Sequence, residues 1–214
     1  LEGALKNPKR PLLAIIGGAK VSTKIGVLKN LLNTVDNLAV GGGMCFTFYK
    51  AKGYEIGKSL CEDDFVQEAK DLLINTKLYL PDDVLVAKEH QPGNPTQNVS
   101  ASAIPQDYSG VDIGKKAAEE ISELVKKAKT IVWNGPMGIF EIDEFARGTE
   151  AVAEAVAQAT SQGTISIVGG GDTVAALEKF NITDKISHVS TGGGASLEYL
   201  EGIELPGVKV LKDK

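Results

Sequence analysis

Leu12-Leu13-Ala14-Ile15-Ile16-Gly17-Gly18-Ala19-Lys20-Val21-Ser22-Thr23-Lys24 sets five apolar residues directly against a glycine pair, then two lysines four positions apart. An unbroken apolar run closed by glycine suits a strand buried on both faces, the kind found in parallel sheets. The same order of events recurs along the chain. Leu38-Ala39-Val40 runs into Gly41-Gly42-Gly43, and Ile131-Val132-Trp133 into Asn134-Gly135-Pro136. Ile165-Ser166-Ile167-Val168 runs into Gly169-Gly170-Gly171, and Ile186-Ser187-His188-Val189-Ser190 into Thr191-Gly192. Val84-Leu85-Val86-Ala87, after a Pro-Asp-Asp turn, makes a sixth run. Apolar residues at helical spacing lie between the runs: Val21, Ile25, Leu28 and Leu31; Phe65, Ala69 and Leu72; Ala117, Ile121, Leu124 and Val125; Val152, Ala155, Val156 and Ala159. Alternation of strand and helix predicts an α/β fold. The expectation is a three-layer, doubly wound, Rossmann-like arrangement around a six-stranded parallel sheet, with residues 1–214 as a single domain. Residues 88–110 are the one long irregular stretch, and the β-prone Val99 to Ile104 leaves room there for a side hairpin.

Composition narrows the class. Hydrophobic residues are 43% of the 214, enough for a core without disulfides or metal. No apolar run approaches the roughly 18 residues of a membrane helix. The opening LEGALKNPKRP has neither the basic start nor the apolar block of a signal peptide. The net charge of −5 argues against nucleic acid as a partner. Cys45 and Cys61 lack CxxC spacing, and His90 and His188 are the only histidines, so no zinc site is expected. Two reduced thiols in a cytoplasmic protein are the plain expectation.

Ligands of an open parallel sheet sit beyond the carboxyl ends of its strands, where all the glycine clusters fall. Glycine there lets a ligand approach the backbone, and a helix starting next adds a positive dipole end, so phosphate suits the edge. Glycine is also common in any tight strand-to-helix turn; four clusters at one edge favour the ligand reading. Walker A, GxGxxG and GxSxG motifs are all absent. Lys20 and Lys24, four apart, are expected on one helix face near its start, where the dipole disfavours cations unless an anion offsets the cost. Two solvated lysines are the alternative. Asp172 can cap a helix or hold Mg²⁺ through one carboxylate. Glu141, in the loop Asn134 to Glu141, can accept from ribose hydroxyls or be a plain surface acid.

Together, GGAKVSTKI (17–25), GGGMCFTF (41–48), VWNGPMGIFE (132–141), GGGDTVAAL (169–177) and HVSTGGGASLEYLEG (188–202) resemble the C-terminal, nucleotide-binding half of the phosphoglycerate kinase family. The resemblance implies phosphoryl transfer between 1,3-bisphosphoglycerate and ADP, giving 3-phosphoglycerate and ATP, with Mg²⁺. It implies Lys24 on the nucleotide phosphates and Lys20 on the phosphoryl group in transit. Asp172 would be the Mg²⁺ contact, with Gly170, Gly171 and Thr173 beside it. Glu141 would meet the ribose, and Asn134 the phosphates or ribose. Gly17, Gly18, Gly42, Gly43 and Gly114 would line the adenine and ribose pocket. Thr191 to Gly194 would donate backbone N–H groups to the moving phosphoryl, so Lys20, Gly171 and Gly194 are the expected catalytic positions. Arg10 and Arg147 are the only arginines and do not match the family's basic patch for the glycerate substrate. The resemblance therefore implies a missing N-terminal substrate domain, with residues 1–10 like the end of the interdomain helix. It implies a monomeric intact enzyme and a chain inactive by itself. A non-catalytic nucleotide-binding or scaffold domain of the same fold is the alternative.

Overall fold

In the computed structural model, which describes residues 7–190, the run Leu12–Ile16 forms the central strand β1. Helix α1 (Ile25–Thr34), β2 (Asn37–Val40), α2 (Cys45–Ala51), α3 (Val66–Leu72) and β3 (Leu78–Tyr79) follow. The chain then makes β4 (Asp83–Ala87), β5 (Thr96–Ser100) and β6 (Ser109–Ile113) before α4 (Lys115–Lys127). It closes with β7 (Thr130–Asn134), α5 (Arg147–Ser161), β8 (Ile165–Gly169), α6 (Gly171–Lys179) and β9 (His188–Ser190). Among the described residues, no helix is long and apolar enough to cross a membrane.

Six strands form one parallel sheet in the order β3-β2-β1-β7-β8-β9. Side chains of a strand alternate between faces, and β1 shows it. Leu12, Ala14 and Ile16 pack with Leu28, Leu31 and Phe48 on one face. Leu13 and Ile15 pack with Ile121, Val125 and Val156 on the other. Helices α1 and α2 thus cover one face and α4 and α5 the other, which is the expected three-layer, doubly wound α/β arrangement.

One strand assignment changes. Val84–Ala87 is not in the parallel sheet; the sixth parallel strand is the two-residue Leu78–Tyr79 at the edge. β4 instead lies at the centre of a separate antiparallel sheet ordered β5-β4-β6. Its sequence misleads because both faces are covered. Val84 and Val86 join the main core, while Leu85 and Ala87 pack with Val111 and Phe145. An antiparallel strand buried on both faces has no polar alternation, so it reads as a parallel one. The irregular stretch 88–110 does contain a strand, at Thr96–Ser100, together with the start of β6.

The order of the parallel sheet runs from β1 outward to β3 and then resumes on the other side with β7. The direction reverses between β1 and β7, and such a reversal opens a crevice at the carboxyl ends of the two strands.

Candidate functional site

Three loops meet at that crevice and are laced by main-chain hydrogen bonds. Gly17 N donates to Asn134 O at 2.9 Å and Gly18 N to Pro136 O at 3.1 Å. Gly42 N donates to Met137 O at 2.9 Å and Met44 N to Gly18 O at 3.1 Å. The lacing needs glycine at one pair of positions above all. A Cβ on Gly17 would lie 2.1 Å from Pro136 O, and one on Gly135 would lie 2.1 Å from Gly17 O. Each glycine sits where the other's side chain would go.

The crevice holds two adjoining cavities. One, of about 380 Å³, is bordered by Gly18, Lys20, Lys24, Asn134, Gly170 and Asp172. The other, of about 330 Å³, is bordered by Gly43, Phe46, Gly110, Met137 and Glu141. Gly18, Ala19, Pro136 and Asp172 border both, so the two form one continuous cleft. A larger cavity of about 900 Å³ lies off this edge, between α4, α5 and the antiparallel sheet. Its walls are mixed Lys, Glu and Arg side chains without a glycine cluster, so the position and chemistry of the crevice outweigh the larger volume.

Lys24 is the N-cap residue of α1 and is only 8% exposed. Its Nζ donates to Asn134 Oδ1, at the end of β7. Asn134 is 2% exposed, and its Nδ2 has no hydrogen-bond partner among the described residues. A Cβ built on Gly170 would be 3.0 Å from that nitrogen, so Nδ2 faces the turn into α6. A buried N–H donor without a partner is costly, and such groups usually await a ligand or water. An ammonium, an amide N–H pair and the N-terminus of α6 thus converge on the first of these cavities, and all three suit an anion.

Lys20 is exposed at the rim. The expected shared helix face does not exist. Helix α1 begins at Ile25, Lys24 N closes a tight turn on Val21 O at 2.8 Å, and Lys20 lies before that turn. The lysines approach the cavity from a loop and from a helix end.

The remaining expected positions divide. Gly18, Gly42, Gly43, Asn134, Glu141, Gly170, Gly171, Asp172 and Lys24 all border the cleft. Thr173 borders it too but is fully buried: its hydroxyl accepts from Gly135 N at 2.7 Å and donates to Gly169 O at 3.0 Å, tying two loops. Gly17 is buried in the lacing beneath. Gly114 does not border the cleft. It is the N-cap of α4, against the Asp83 carboxylate, and borders the larger cavity. The glycine of that segment facing the cleft is Gly110, where a Cβ would overlap the Phe46 ring at 1.8 Å. Gly110 stands alone in sequence rather than in a cluster, so glycine clustering does not reveal it. Gly194 and its neighbours lie outside the described residues.

Asp112 is a further group that sequence reading misses. It is buried between the cleft and the larger cavity. Burial pushes its carboxyl up to about 8, against backbone N–H donors from Gly148, Ile113 and Thr149 that favour the ionised form. Cys45 also borders the cleft, but burial pushes its thiol up, so it offers no thiolate there.

No group of three or more His, Cys, Asp or Glu among the described residues could cage a metal. Asp172 is a single exposed carboxylate at the edge shared by the two cavities. One carboxylate beside a phosphate site is how Mg²⁺ is commonly held, with phosphate oxygens and water completing its shell. The residues present therefore fit Mg²⁺ carried in on a phosphate ligand.

A family model described as phosphoglycerate kinase matches residues 1–203. The chain belongs to the phosphoglycerate kinase family. The phosphoglycerate kinase of Thermosynechococcus vestitus is 52% identical over the whole of this chain, and that of a Picosynechococcus species is 54% identical. Among solved structures, the phosphoglycerate kinase of Coxiella burnetii superposes with a TM-score of 0.92 over 98% of this chain at 50% identity. The enzyme from Pyrococcus horikoshii superposes at 0.85 over 99% of the chain with 33% identity. The chain spans 54% of each of the two cyanobacterial kinases, 55% of the Coxiella chain and 54% of the Pyrococcus chain.

Proposed function

We propose that this chain is the Mg-nucleotide half of a phosphoglycerate kinase, which moves a phosphoryl group between the acyl phosphate of 1,3-bisphosphoglycerate and the β-phosphate of ADP. The observation that carries the reading is the convergence of buried Lys24, the unpartnered Asn134 Nδ2 and the start of α6 on one cavity. In this reading Lys24 and Asn134 hold the nucleotide phosphates, with the backbone N–H groups of Gly170 and Gly171 beside them. The base and ribose lie in the adjoining cavity against Gly18, Gly42, Gly43 and Gly110, with Glu141 at the ribose. Lys20, at the open rim, meets the phosphoryl group in transit. Asp172 would hold Mg²⁺, which would supply charge neutralisation on the phosphate oxygens. Fixed donors aimed at the equatorial oxygens are the main need of such a transfer.

The acceptor side is assigned to chain outside these 214 residues. Arg10 pairs with Asp36, and Arg147 borders the larger cavity, so neither stands at the cleft. We take the whole as a cytoplasmic, monomeric enzyme in which these residues form one nucleotide-binding unit. Calorimetry with Mg-ADP and amide NMR test the site. Binding with shifts concentrated at 17–24, 134–141 and 170–173 is the expected result; shifts at the opposite ends of the strands would refute it. A coupled assay on the chain alone should show essentially no ATP formation, because alignment of two substrates supplies roughly 7–11 kcal/mol of barrier reduction. Turnover matching a full-length relative would refute the assignment of the acceptor side.

A further inference from the structure

The loop between the Gly17-Gly18 pair and α1 carries both cleft lysines, yet it belongs to no strand or helix. The carboxylate of Glu62 fastens its midpoint. Glu62 precedes the short turn Asp63–Phe65, and its own N–H donates to the buried Thr47 hydroxyl of α2 at 3.2 Å. Its two carboxylate oxygens then reach back to a single residue: Ser22 N donates to Oε2 at 2.9 Å and Ser22 Oγ to Oε1 at 2.6 Å. Both bonds link positions 40 residues apart. Ser22 stands midway between Lys20 and Lys24. The loop is also held by local turn bonds such as Thr23 Oγ1 to Lys20 O at 3.0 Å, by the buried Val21 side chain in the main core, and at its end by Lys24 Nζ on Asn134.

From this arrangement we propose that Glu62 is a positioning residue of the nucleotide site, clamping Ser22 so that Lys20 and Lys24 face the phosphate cavity from their two sides. The inference rests on the nucleotide reading above. Three physical points support it. Helix α1 has no side-chain cap of its own, and its first turn holds no acidic residue. A carboxylate accepting the Ser22 N–H two residues ahead of the Lys24 N-cap places negative charge near that helix start and complements the dipole. It also offsets the cost of a lysine at the helix N-cap. Finally, partial burial works to raise the Glu62 carboxyl but is outweighed by the Ser22 bonds, the Val21 N–H and the Lys20 charge, so it sits below its ordinary value and stays ionised at neutral pH.

The clamp acts on phosphate contacts and does not touch the walls expected for the base. The test therefore compares ADP with adenosine on the 214-residue chain, by calorimetry and by NMR titration. Glu62→Gln keeps the side-chain shape but replaces one acceptor oxygen with a donor. It should weaken Mg-ADP about tenfold and leave adenosine binding unchanged. Ser22→Ala keeps the main-chain bond and should weaken Mg-ADP by about threefold, again without effect on adenosine. Equal ADP affinity in parent and variants overturns the proposal, and so does a matched loss of ADP and adenosine, which marks a merely structural role. Should Glu62→Gln fail to fold, Ser22→Ala carries the same two-ligand comparison: a loss confined to ADP supports the clamp, and no loss or a matched loss overturns it. A parent chain that binds no ADP is a different result: it refutes the nucleotide reading on which the clamp depends.

Discussion

The parallel sheet builds its side of the cleft from backbone, whereas the three-stranded sheet and the helices beside it are held by side-chain acceptors. Beyond β1, β2 and β7, glycine loops bond to one another main chain to main chain. Around β4–β6 the joints are different. Asp83 accepts from Lys116 N at 3.1 Å and Ala117 N at 2.7 Å at the start of α4. Asp112 accepts from Gly148 N at 2.5 Å at the start of α5. Asn98 Oδ1 accepts from Lys115 N at 3.0 Å, and Ser59 Oγ from Gly110 N at 2.9 Å. The first kind of joint fails when atoms are added. The second fails when an acceptor or its charge state changes. That contrast gives separate ways to break each region.

The largest expected effect is electrostatic and belongs to Asp112. Unfolded, this carboxyl ionises near its ordinary value of 3.8; folded, it holds its proton up to about 8. Between those values the folded state binds more protons, so this group's contribution to stability falls as pH rises and levels off above about pH 8. At about 1.4 kcal/mol per unit, the span is worth roughly several kcal/mol. Denaturant melts of parent and Asp112→Asn from pH 4 to 8.5 should diverge, with only the parent losing stability across the window. Parallel profiles would mean that the buried acid does not set the pH dependence.

Gly17→Ala tests the glycine lacing. The new methyl would lie 2.1 Å from Pro136 O and 2.5 Å from Gly135 O, both backbone atoms that cannot swing aside. Overpacking against backbone should cost about 3 kcal/mol or more, a drop of roughly 6–12 °C in melting temperature. A drop under about two degrees would mean the loops part easily.

Lys24→Ala addresses the ligand end of the same region. Loss of a charged donor should weaken Mg-ADP binding by about 1.5–3 kcal/mol, read by calorimetry. Lys20→Ala, at the exposed rim, should cost less in binding. An equal loss for both would erase the distinction between a buried and a rim lysine.

The smallest effect falls on Asp83→Ala, which removes the acceptor capping α4. Helix caps are worth about 1 kcal/mol, so a thermal melt should show a modest drop, with Mg-ADP affinity unchanged. A loss of affinity here would couple the α4 cap to the cleft.

Sequence reading recovers the parallel sheet well because five of its strands lie in short runs rich in apolar residues, each leading into glycine within two residues. It overlooks Leu78–Tyr79, since two residues carry no periodicity, and it misplaces Val84–Ala87, since burial on both faces hides the strand's antiparallel partners. Lys24 and Asn134, 110 residues apart, are both marked by the motifs around them. Glu62 and Asp112 are not. Each is an ordinary acid in sequence, and what sets it apart is a backbone donor 40 or 36 residues away that only folding brings near. Gly110 is missed for a related reason: its neighbour Phe46, not its own surroundings in sequence, demands the missing side chain.

The mutual fit of Gly17 and Gly135 has a bearing on how this edge can vary over time. At a position occupied by leucine, drift can move to a smaller or a larger residue, and a partner can adjust in return. At these two positions every available replacement is larger. Each would intrude on the backbone of the other, so no second change at the facing position can make room. The pair has no compensating route, and scanning by alanine, which elsewhere trims a molecule, would here be the one substitution series that builds it up.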